Sequence, residues 1–404
     1  MDFKMEKVSL PKVKIVAIAK DEAAYIPEWI HHHLYFGFDA IEIHINRTTD
    51  NSVEVLNEIS SQYPSVTWEY ADWIDMCPAQ ARQKIQFIVY AKALEEARRE
   101  GTFSHVLFLD IDEFWCPQDF TTSINDCLLS LPTESAIFFE WINDLGDSPA
   151  FSRVPSVLNG NLSPLGKSSL PVNTKIAELR HHVSLFADDT PLILADGRRF
   201  EARERPNQAV EKHLNSVKKA FIYHRAHRSE VEYVSLLYRG RAGNDFNYKN
   251  NRTGLPKTDK FNSTVEFPLD SYELFQKSYE EFYSRLDLKE LIETAEAFVL
   301  KRYQAAIDNM GASLHANYKD MMKIFCRVKV AEVTARFTYF RRKKIAQHPS
   351  NVNLIRDLAI DAASQNLDEA IDLMKMAHEL RPKGPQIRKK LELLEQKKLA
   401  LQER

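Results

Sequence analysis

The first 115 residues alternate apolar runs with amphipathic stretches. The apolar runs predict strands over residues 13–19, 41–45 and 66–70, and apolar positions at helical spacing predict helices over 26–34 and 55–59. Strands that alternate with helices in this way are typical of a parallel α/β sheet.

A fourth strand is predicted over residues 104–111, which are almost continuously apolar. A helix should precede it, because Pro78 can open a helix as its first residue and apolar side chains then recur at helical spacing: Ala81, Ile85, Ile88 and Ala91. Polar clusters follow three strand ends, at 20–22, 46–50 and 110–113. Ligands bind outside the carboxyl ends of strands in open α/β sheets, so these clusters should line one crevice.

The pattern is less regular over residues 116–270. Short strands are predicted over 136–141 and 220–223, and turn-rich segments lie between them, including 159–169. From residue 271 the spacing of apolar positions is helical, and no strand alternation is visible. The expected fold is therefore an α/β domain with a mostly parallel sheet, followed by an all-helical C-terminal region.

The helical region divides into two parts, so that three domains are predicted: 1–270, 271–345 and 346–404. Apolar spacing over 349–400 is similar to the second half of a tetratricopeptide helix pair. Only one such unit is visible, whereas repeat arrays need about three for stability. A helical pair that packs on the preceding domain is therefore expected.

A basic segment at 323–344 carries eight Lys and Arg residues against one acid, Glu332. Apolar residues are interleaved among them, which predicts a basic amphipathic helix. Two interpretations are open. The helix could dock on an anionic membrane surface, or it could be a domain helix with one solvated basic face.

Composition narrows the function classes. The formal net charge of -3 argues against a nucleic-acid binder. The four cysteines form no CxxC pair, the N-terminus has no signal-like apolar region, and no apolar run is long enough to span a membrane. These features predict a cytoplasmic protein, with the inner membrane face as a possible site of contact. The 11 glycines form neither a G-x-x-x-x-G-K-[ST] loop nor a G-x-G-x-x-G turn, so any nucleotide must be bound without a glycine-rich loop.

Asp110 and Asp112 carry the candidate chemistry. Residues i and i+2 of a strand point to the same face, so both carboxylates could converge on one point past the strand end. Two hard oxygen ligands suit Mg²⁺ or Mn²⁺, which complete their shell with phosphate and water. A metal at this point would neutralise charge on a departing diphosphate. Such acidic pairs also arise as caps or ion pairs.

Several short motifs occur in a specific order: Lys20-Asp21-Glu22, Glu28-Trp29-Ile30 with His33 and Gly37-Phe38, Thr48-Thr49-Asp50, Phe108 to Phe114, Trp141 with Gly146, Lys175, Tyr223-His224-Arg225 and Arg228-Ser229. Over about residues 12–245 this order resembles the family 2-like and family 92 glycosyltransferases. The resemblance implies a GT-A fold, which binds a nucleotide-sugar together with a divalent metal on a D-x-D motif.

The resemblance also implies roles for individual residues. Asp112 would be the direct metal ligand, and Asp110 would lie near the metal and the ribose or sugar. His224 would be the third metal ligand, with His227 as the alternative. The residues that would contact the nucleotide are Lys20, Glu22 and Asp50 after the first two strands, together with Arg82 and Gln86 on the helix before the acidic strand.

The segment 239–244 could also contact the donor. Its glycines permit close backbone approach, and its arginines, Arg241 among them, could hold the diphosphate. The chain departs from the family pattern at His44-Ile45-Asn46-Arg47, where an acid that reads the nucleotide base is usual. A UDP-sugar is favoured, although this departure bears on the base.

An inverting transferase needs a carboxylate that deprotonates the acceptor hydroxyl. Asp144 is the candidate base, since it lies in the segment that matches the family's tryptophan–glycine motif. Glu140, Asp147 and Asp188 compete with it. In the same segment, Trp141 could stack on a sugar ring or belong to the core.

Two histidine clusters favour structural roles. His31, His32 and His33 are consecutive on a helix, about 100° apart, so they cannot share one metal ion, and His33 should pack and hydrogen-bond within the helix. His181 and His182 are predicted in a strand, with side chains on opposite faces.

The leading hypothesis is a metal-dependent, inverting hexosyltransferase that uses Mn²⁺ or Mg²⁺ and a UDP-sugar and acts on a glycan or lipid-linked acceptor. Residues 323–344 could then contact the membrane, and no nucleic acid is involved. One alternative is an inactive transferase-like scaffold that recruits partners through its helical C-terminus. Another is a metal-dependent phosphohydrolase that uses the same carboxylates.

Overall fold

The computed structural model of the protein describes residues 10–240 and 246–402, and these form two compact units. The first unit comprises the described residues up to 145 together with 151–226 and 259–298. The second comprises 146–150, the described part of 227–258, and the residues from 299 onward.

The first unit contains all twelve strands of the described chain: β1 Val13–Ala19, β2 Ala40–Ile45, β3 Val66–Tyr70, β4 His105–Phe108, β5 Glu113–Pro117, β6 Ala136–Asn143, β7 Val157–Pro171, β8 Ile176–Glu178, β9 Leu185–Phe186, β10 Leu192–Leu194, β11 Ala220–His224 and β12 Ser263–Glu266. Its helices are α1 Ile26–Tyr35, α2 Ser52–Gln62, a 3-10 helix Asp72–Met76, α3 Ala79–Arg82, α4 Ile85–Glu100, α5 Ile124–Leu129 and α7 Leu269–Ser284.

The remaining helices are α6 Glu230–Tyr238, α8 Lys289–Ile324, α9 Ala331–Gln347, α10 Val352–Ala362, α11 Leu367–Leu380 and α12 Pro385–Gln402. Helix α8 begins in the first unit, and the others belong to the second. No strand occurs after β12 in the described residues, which confirms the all-helical C-terminal region.

One sheet of ten strands organises the first unit, in the order β3-β2-β1-β4-β7-β6-β11-β5, with β10 beside β6 and β12 beside β7. Strands β3, β2, β1 and β4 are parallel to one another, and β10 and β11 are parallel to β6. Strand β7 runs antiparallel between β4 and β6, and β5 runs antiparallel to β11. The predicted α/β fold with a mostly parallel sheet is confirmed.

Strands β1 and β2 lie where their apolar runs predicted them, because their side chains form the buried centre of the sheet. Strand β3 also lies at its predicted position, but at the end of the sheet order, where Val66 is its one buried side chain. The helix predicted from Pro78 is wrong in detail. Pro78 precedes the short helix α3, the chain turns at Gln83 and Lys84, and α4 begins only at Ile85. The buried stripe of α4 is consequently Val89, Tyr90, Ala93, Leu94 and Ala97, and Ala91 is exposed.

Strand β7 corrects the prediction of turns over 159–169. Its glycines suggested turns, but they serve close contact with β6. A Cβ on Gly166 would lie 1.9 Å from the carbonyl oxygen of Phe139, and one on Gly160 would lie 2.5 Å from that of Asn143. The register shifts between Glu140 and Ile142, so these glycines accompany a bulge in the strand pair.

The predicted strand at His181 and His182 is also wrong, because both lie in the bend between β8 and β9. The His182 Nδ1 atom hydrogen-bonds the carbonyl of Gly166 at 2.9 Å, while the His181 ring lies against Phe87, with centroids 4.6 Å apart. The two imidazole rings therefore face different surroundings because the chain bends at these residues, and strand alternation plays no part.

A buried polar chain crosses β1, β2 and β3. Glu42 accepts hydrogen bonds from Lys14 Nζ and His44 Nε2, each at 2.6 Å, and His44 Nδ1 lies 3.0 Å from Glu69 Oε1. Burial opposes ionisation of Glu42, but the bonds from His44 and Lys14 lower its pKa to about 2. These ionic contacts tie together the strands whose carboxyl ends form the candidate site.

Helix α1 fixes the backbone of β5. His32 Nε2 donates to the carbonyl of Trp115 at 2.8 Å, the Trp115 N–H donates to His33 Nε2 at 3.3 Å, and the Trp29 indole donates to the carbonyl of Glu113 at 2.8 Å. His33 also bonds the carbonyl of Trp29 within α1, which confirms its predicted structural role. Burial lowers the pKa of His32 to about 4, so this helix carries neutral imidazoles at neutral pH.

The second unit corrects the interpretation of 323–344. This stretch is not one amphipathic helix, because α8 ends at Ile324 and α9 begins at Ala331. Its apolar side chains are buried in the core of the unit: Ile324, Phe325, Val328, Val333, Phe337 and Phe340. The structure therefore favours the interpretation of domain helices with a solvated basic face, and the membrane contact stays a prediction.

One of the predicted basic residues is itself part of that interior. Arg341 is completely buried, with its Nη2 atom 3.0 Å from Gln365 Oε1 and its Nε atom 3.3 Å from Glu369 Oε1. Thr338 donates to the other oxygen of Glu369 at 2.7 Å. The C-terminal segment contains three helices where a pair was expected, and α10, α11 and α12 share a hydrophobic cluster with Ile345 of α9. No helix among the described residues is long and apolar enough to cross a membrane.

Candidate functional site

The acidic motif lies in a turn, where a longer strand was predicted. Strand β4 ends at Phe108, and β5 begins at Glu113. The N–H of Asp110 donates to Glu113 Oε2 at 2.9 Å, so the carboxylate that follows the motif holds the turn closed. The Asp110 side chain is 43% exposed, which leaves it accessible from solvent.

A buried lysine neutralises this turn from below. Lys167 of β7 places its Nζ 3.1 Å from Glu113 Oε2 and 3.4 Å from Asp110 Oδ2. Burial raises the pKa of Glu113 to about 7 although Lys167 lowers it, and the two carboxylates raise the pKa of Lys167. Lys167 therefore supplies the positive charge that balances the carboxylates of the acidic turn.

Asp112 lies opposite His224. Asp112 lies in the turn just before β5, and His224 is the last residue of β11. Strands β5 and β11 pair so that His224 is opposite Glu113, which brings it next to Asp112. His224 Nε2 is 3.7 Å from Asp112 Oδ2, and its Nδ1 is 2.9 Å from Asn143 Oδ1. Since the Asn143 oxygen can only accept, Nδ1 carries the proton and Nε2 presents its lone pair toward Asp112 when the ring is neutral.

The charge around His224 favours a cation. Burial alone would lower its pKa, but the carboxylates of Asp112, Glu113 and Asp144 raise it overall. A group of carboxylates that stabilises imidazolium would equally stabilise a metal ion beside Nε2.

Trp141 forms one wall of this region. Its ring centroid is 4.4 Å from that of His224 and 4.9 Å from that of His182. The indole nitrogen is buried and has no hydrogen-bond partner among the described residues. An aromatic ring thus borders the candidate site.

The candidate bases differ in their surroundings. Asp144 is buried just after β6, and its N–H donates to the carbonyl of His224 at 3.0 Å. Glu140 is fully buried and bonds Lys218 Nζ at 2.6 Å, which satisfies its charge away from the turn. Asp188 accepts bonds from Thr190 and Lys175 that lower its pKa to about 2, which makes it a poor proton acceptor.

The fourth candidate base, Asp147, and the alternative metal ligand, His227, belong to the second unit. Asp147 is exposed, and His227 contacts the ring of Tyr233 with centroids 5.7 Å apart. Arg241 lies outside the described residues.

The loops after β1 and β2 brace each other through side chains. Asp21 accepts from the N–H of Thr49 at 2.7 Å, and Asp50 accepts from the N–H of Ala23 at 2.9 Å and from Ser52. Burial raises the pKa of Asp50, although the bonds from Ser52 and Ala23 oppose this rise. Asp50 thus holds the loop over the strand ends, and Glu22 next to it is buried.

Cations surround one carboxylate at the ends of β1, β2 and β3. Arg47 forms two bonds of 2.5 Å to the carboxylate of Asp75. Arg47 lowers the pKa of Asp75 most strongly, and the charges of Arg82 and Lys20 lower it further. Sequence analysis selected Lys20 and Arg82 but missed Arg47 and Asp75.

An acid does lie near Asn46, where the family pattern expects one, but it comes from the next strand end. Asp72 Oδ1 is 3.2 Å from Asn46 Nδ2 and accepts from the N–H of Arg47 at 2.7 Å. Arg47 adopts a positive φ of 52°, and Asp21 across the crevice does the same. Strained backbone of this kind is common at binding sites.

The family of this segment follows from comparison with known proteins. Residues 13–153 match the family model described as glycosyltransferase family 92, which covers β1 to β6 and the acidic turn. Over this segment, about a third of the chain, the sequence is similar to glycosyltransferase family 92. The chain therefore carries a glycosyltransferase domain, as the motif order predicted.

Other comparisons are more distant. The chain is similar to the mannosyltransferase PcManGT from Pyrobaculum calidifontis in complex with GDP-Man and Mn2+, at 12% identity over 77% of this chain and 76% of that chain, with a TM-score of 0.24. We draw no assignment from so distant a likeness. No curated protein matches the chain by sequence.

The acidic turn and His224 provide some of the side chains that a divalent metal would need. Among the described residues, no three His, Cys, Asp or Glu side chains form a complete metal cage. Asp112 and His224 face each other, whereas Asp110 faces Gln86 and Lys167 at 3.4 Å each. Mg²⁺ and Mn²⁺ commonly use one or two carboxylates and complete their shell with phosphate and water, so Asp112 and His224 are the residues that would hold such an ion.

Proposed function

We propose that the protein is a metal-dependent, inverting hexosyltransferase that moves a sugar from a UDP-sugar to a hydroxyl of a free or lipid-linked glycan. The observation that carries the proposal is the approach of His224 Nε2 to Asp112 Oδ2 within 3.7 Å, beside the half-exposed Asp110. Asp110 and Asp112 lie in the segment that matches the family 92 model, and His224 lies beyond it on β11. Glycosyl transfer is the reaction class of that family, and the metal, the stereochemistry and the acceptor are our extension.

Asp112 and His224 would hold Mn²⁺ or Mg²⁺, with Asp110 completing the set on the solvent side. The bound metal would neutralise the negative charge that develops on the departing diphosphate. Asn143 would hold His224 in the tautomer that presents Nε2, as a partner in the outer shell of a metal site commonly does. Before the metal binds, the charge of Lys167 would reduce the repulsion between the carboxylates of Asp110 and Glu113.

Asp144 would accept the proton of the attacking hydroxyl. Its buried position beside the His224 backbone supports this role, since it places the carboxylate next to the proposed metal ligand. The displacement would be a single step, in which the acceptor oxygen bonds the anomeric carbon as the bond to the diphosphate breaks.

The nucleotide would lie at the ends of β1, β2 and β3. Lys20 and Arg82 would face its phosphates, while Glu22 and Asp50 would shape the pocket. Asp72, held by Asn46 and Arg47, would accept from the N–H edge of the base in place of the missing acid. Uracil presents one such N–H, which agrees with the choice of a UDP-sugar.

The test is a screen of UDP-, GDP- and ADP-hexoses by thermal shift, each with and without Mn²⁺, followed by product analysis of the best donor. We expect a metal-dependent stabilisation by a UDP-hexose and release of UDP. Release of inorganic phosphate would instead identify a phosphohydrolase. The absence of any shift would reject the proposal in favour of an inactive scaffold.

A further inference from the structure

A groove of about 810 Å³ lies along α4 in the first unit. Its walls are α4, the segment from β8 to His181, and residues 207–208. It follows α4 from Lys84 to Arg98, which corresponds to about 20 Å of helix. This length suits an extended molecule.

One end of the groove adjoins the acidic turn. Phe87 lines it, and the preceding residue, Gln86, has its Nε2 atom 3.4 Å from Asp110 Oδ1. The His181 imidazole lies against the Phe87 ring and is influenced by the charges of Asp110 and Lys167. A molecule in the groove would therefore reach the place where transfer is proposed.

The lining is more polar than a lipid chain requires. Leu94 is buried beneath the groove, and Ile176 and Leu179 are half-buried. The exposed lining side chains include Lys84, His181 and Asn207. A short aromatic surface with polar side chains around it is the usual setting for a sugar ring.

The charge of the groove favours an anion. Lys84 is exposed, its Nζ lies 5.8 Å from the Phe87 ring centroid, and its side chain forms no hydrogen bond or ion pair within the described ranges. Arg180 pairs with Glu178 at 3.0 Å, so that the lining acid is already neutralised. The Arg98 guanidinium donates to the carbonyls of Val172 and Thr174. Within the described ranges, Lys84 is thus the lining cation whose charge remains available to an anion.

From these observations we infer that this groove is the acceptor subsite and that it takes an acidic glycan, with a carboxylate or phosphate substituent bound at Lys84 and a sugar ring against Phe87. The inference rests on the proposed function for its role in transfer. Binding of an acidic glycan to the groove can nevertheless be measured without any donor.

The test uses three hexasaccharides of equal length and linkage: β-1,4-linked glucuronate, cellohexaose, and cellohexaose with 6-phosphates. Each is titrated calorimetrically into the full-length chain at 0.15 M salt. We expect at least one anionic hexasaccharide to bind at least tenfold more tightly than cellohexaose, and the two anionic arms identify the substituent. Equal affinity for all three, or binding of none, would overturn the inference.

Two variants locate the binding site. Lys84→Gln should weaken the binding of the anionic hexasaccharide at least fivefold, whereas Lys277→Gln on the exposed side of α7 makes the same charge change away from the groove lining and should have no effect. If both variants lose the same affinity for the anionic hexasaccharide, the effect comes from the overall charge of the protein, and the subsite is rejected.

The donor screen separates this inference from the proposed function. If UDP-hexose with Mn²⁺ stabilises both wild type and Lys84→Gln but anionic glycan does not bind, only the acceptor subsite is wrong. If anionic glycan binds through Lys84 but no nucleotide-sugar does, the glycan site stands and the transferase proposal fails.

Discussion

Removal of the Asn143 side chain should weaken metal binding without removing any proposed ligand. Asn143 accepts the Nδ1 proton of His224 at 2.9 Å. In Asn143→Ala the imidazole could carry its proton on either nitrogen, and in one of these forms Nε2 has no lone pair for a metal. The perturbation therefore tests whether His224 is held for coordination.

The magnitude follows from the bond that is lost. A buried neutral hydrogen bond contributes about 0.5–1.5 kcal/mol, and loss of an outer-shell partner commonly costs about 10–100-fold in metal affinity. The His224 side chain is 13% exposed, so water can replace the missing acceptor in part. We expect the lower end, about a tenfold rise in the Kd for Mn²⁺.

The assay is electron paramagnetic resonance of free Mn²⁺ in the presence of UDP, with circular dichroism to verify that each variant is folded. Asn143→Asp keeps an acceptor for Nδ1 and should bind at least as tightly as wild type. Asn161→Ala changes the residue opposite Asn143 on β7 and leaves the His224 bond intact. If Asn143→Ala binds Mn²⁺ within twofold of wild type, the geometric reasoning is refuted.

Three further predictions concern activity and stability. Asp112→Asn should reduce transfer at least 100-fold in a donor-turnover assay, whereas Asp188→Asn, a change in an exposed turn, should retain most activity. Glu42→Gln should lower the free energy of unfolding by about 3 kcal/mol at neutral pH, as measured with urea. Because the pKa of Glu42 is depressed in the folded state, the stability difference between wild type and variant should be complete above pH 4.5 and should shrink as the pH falls toward 2. Arg341→Met should cost about 3–5 kcal/mol, and adding Glu369→Leu should recover much of that loss; additive losses would show that the buried pair is not coupled.

Strands β1 and β2 could be predicted from the sequence because their apolar runs are buried on both faces of the sheet. The position of Asp110 and Asp112 followed from the same pattern, since a polar pair after a buried strand must emerge at the sheet edge. The similarity to the family likewise followed from motif order, which also selected His224, whose role stays a prediction. Apolar runs, a polar pair after a strand and short motifs each involve residues that are close in sequence, so they can be recognised from the sequence alone.

The missed features depend on contacts between distant segments. Lys167 was hidden in a stretch whose glycines suggested turns, although those glycines exist because β6 passes close to β7. Asp72 and Asp75 belong to no recognisable motif. Their place in the candidate site is visible only from their hydrogen bonds with Asn46 and Arg47. The same limit applies at 323–344, where helical spacing did not reveal the break between α8 and α9 or that the apolar side chains meet protein.

Strand β5 lies at the end of the sheet order, where exposed N–H and C=O groups would normally invite another chain to pair. The side chains of Trp29, His32 and His33 occupy those groups instead. These hydrogen bonds from α1 thereby protect the edge from pairing with another chain. It also follows that the acidic turn, which leads directly into β5, should become ordered only after α1 has docked, so that this helix and the turn should exchange amide hydrogens as one cooperative group.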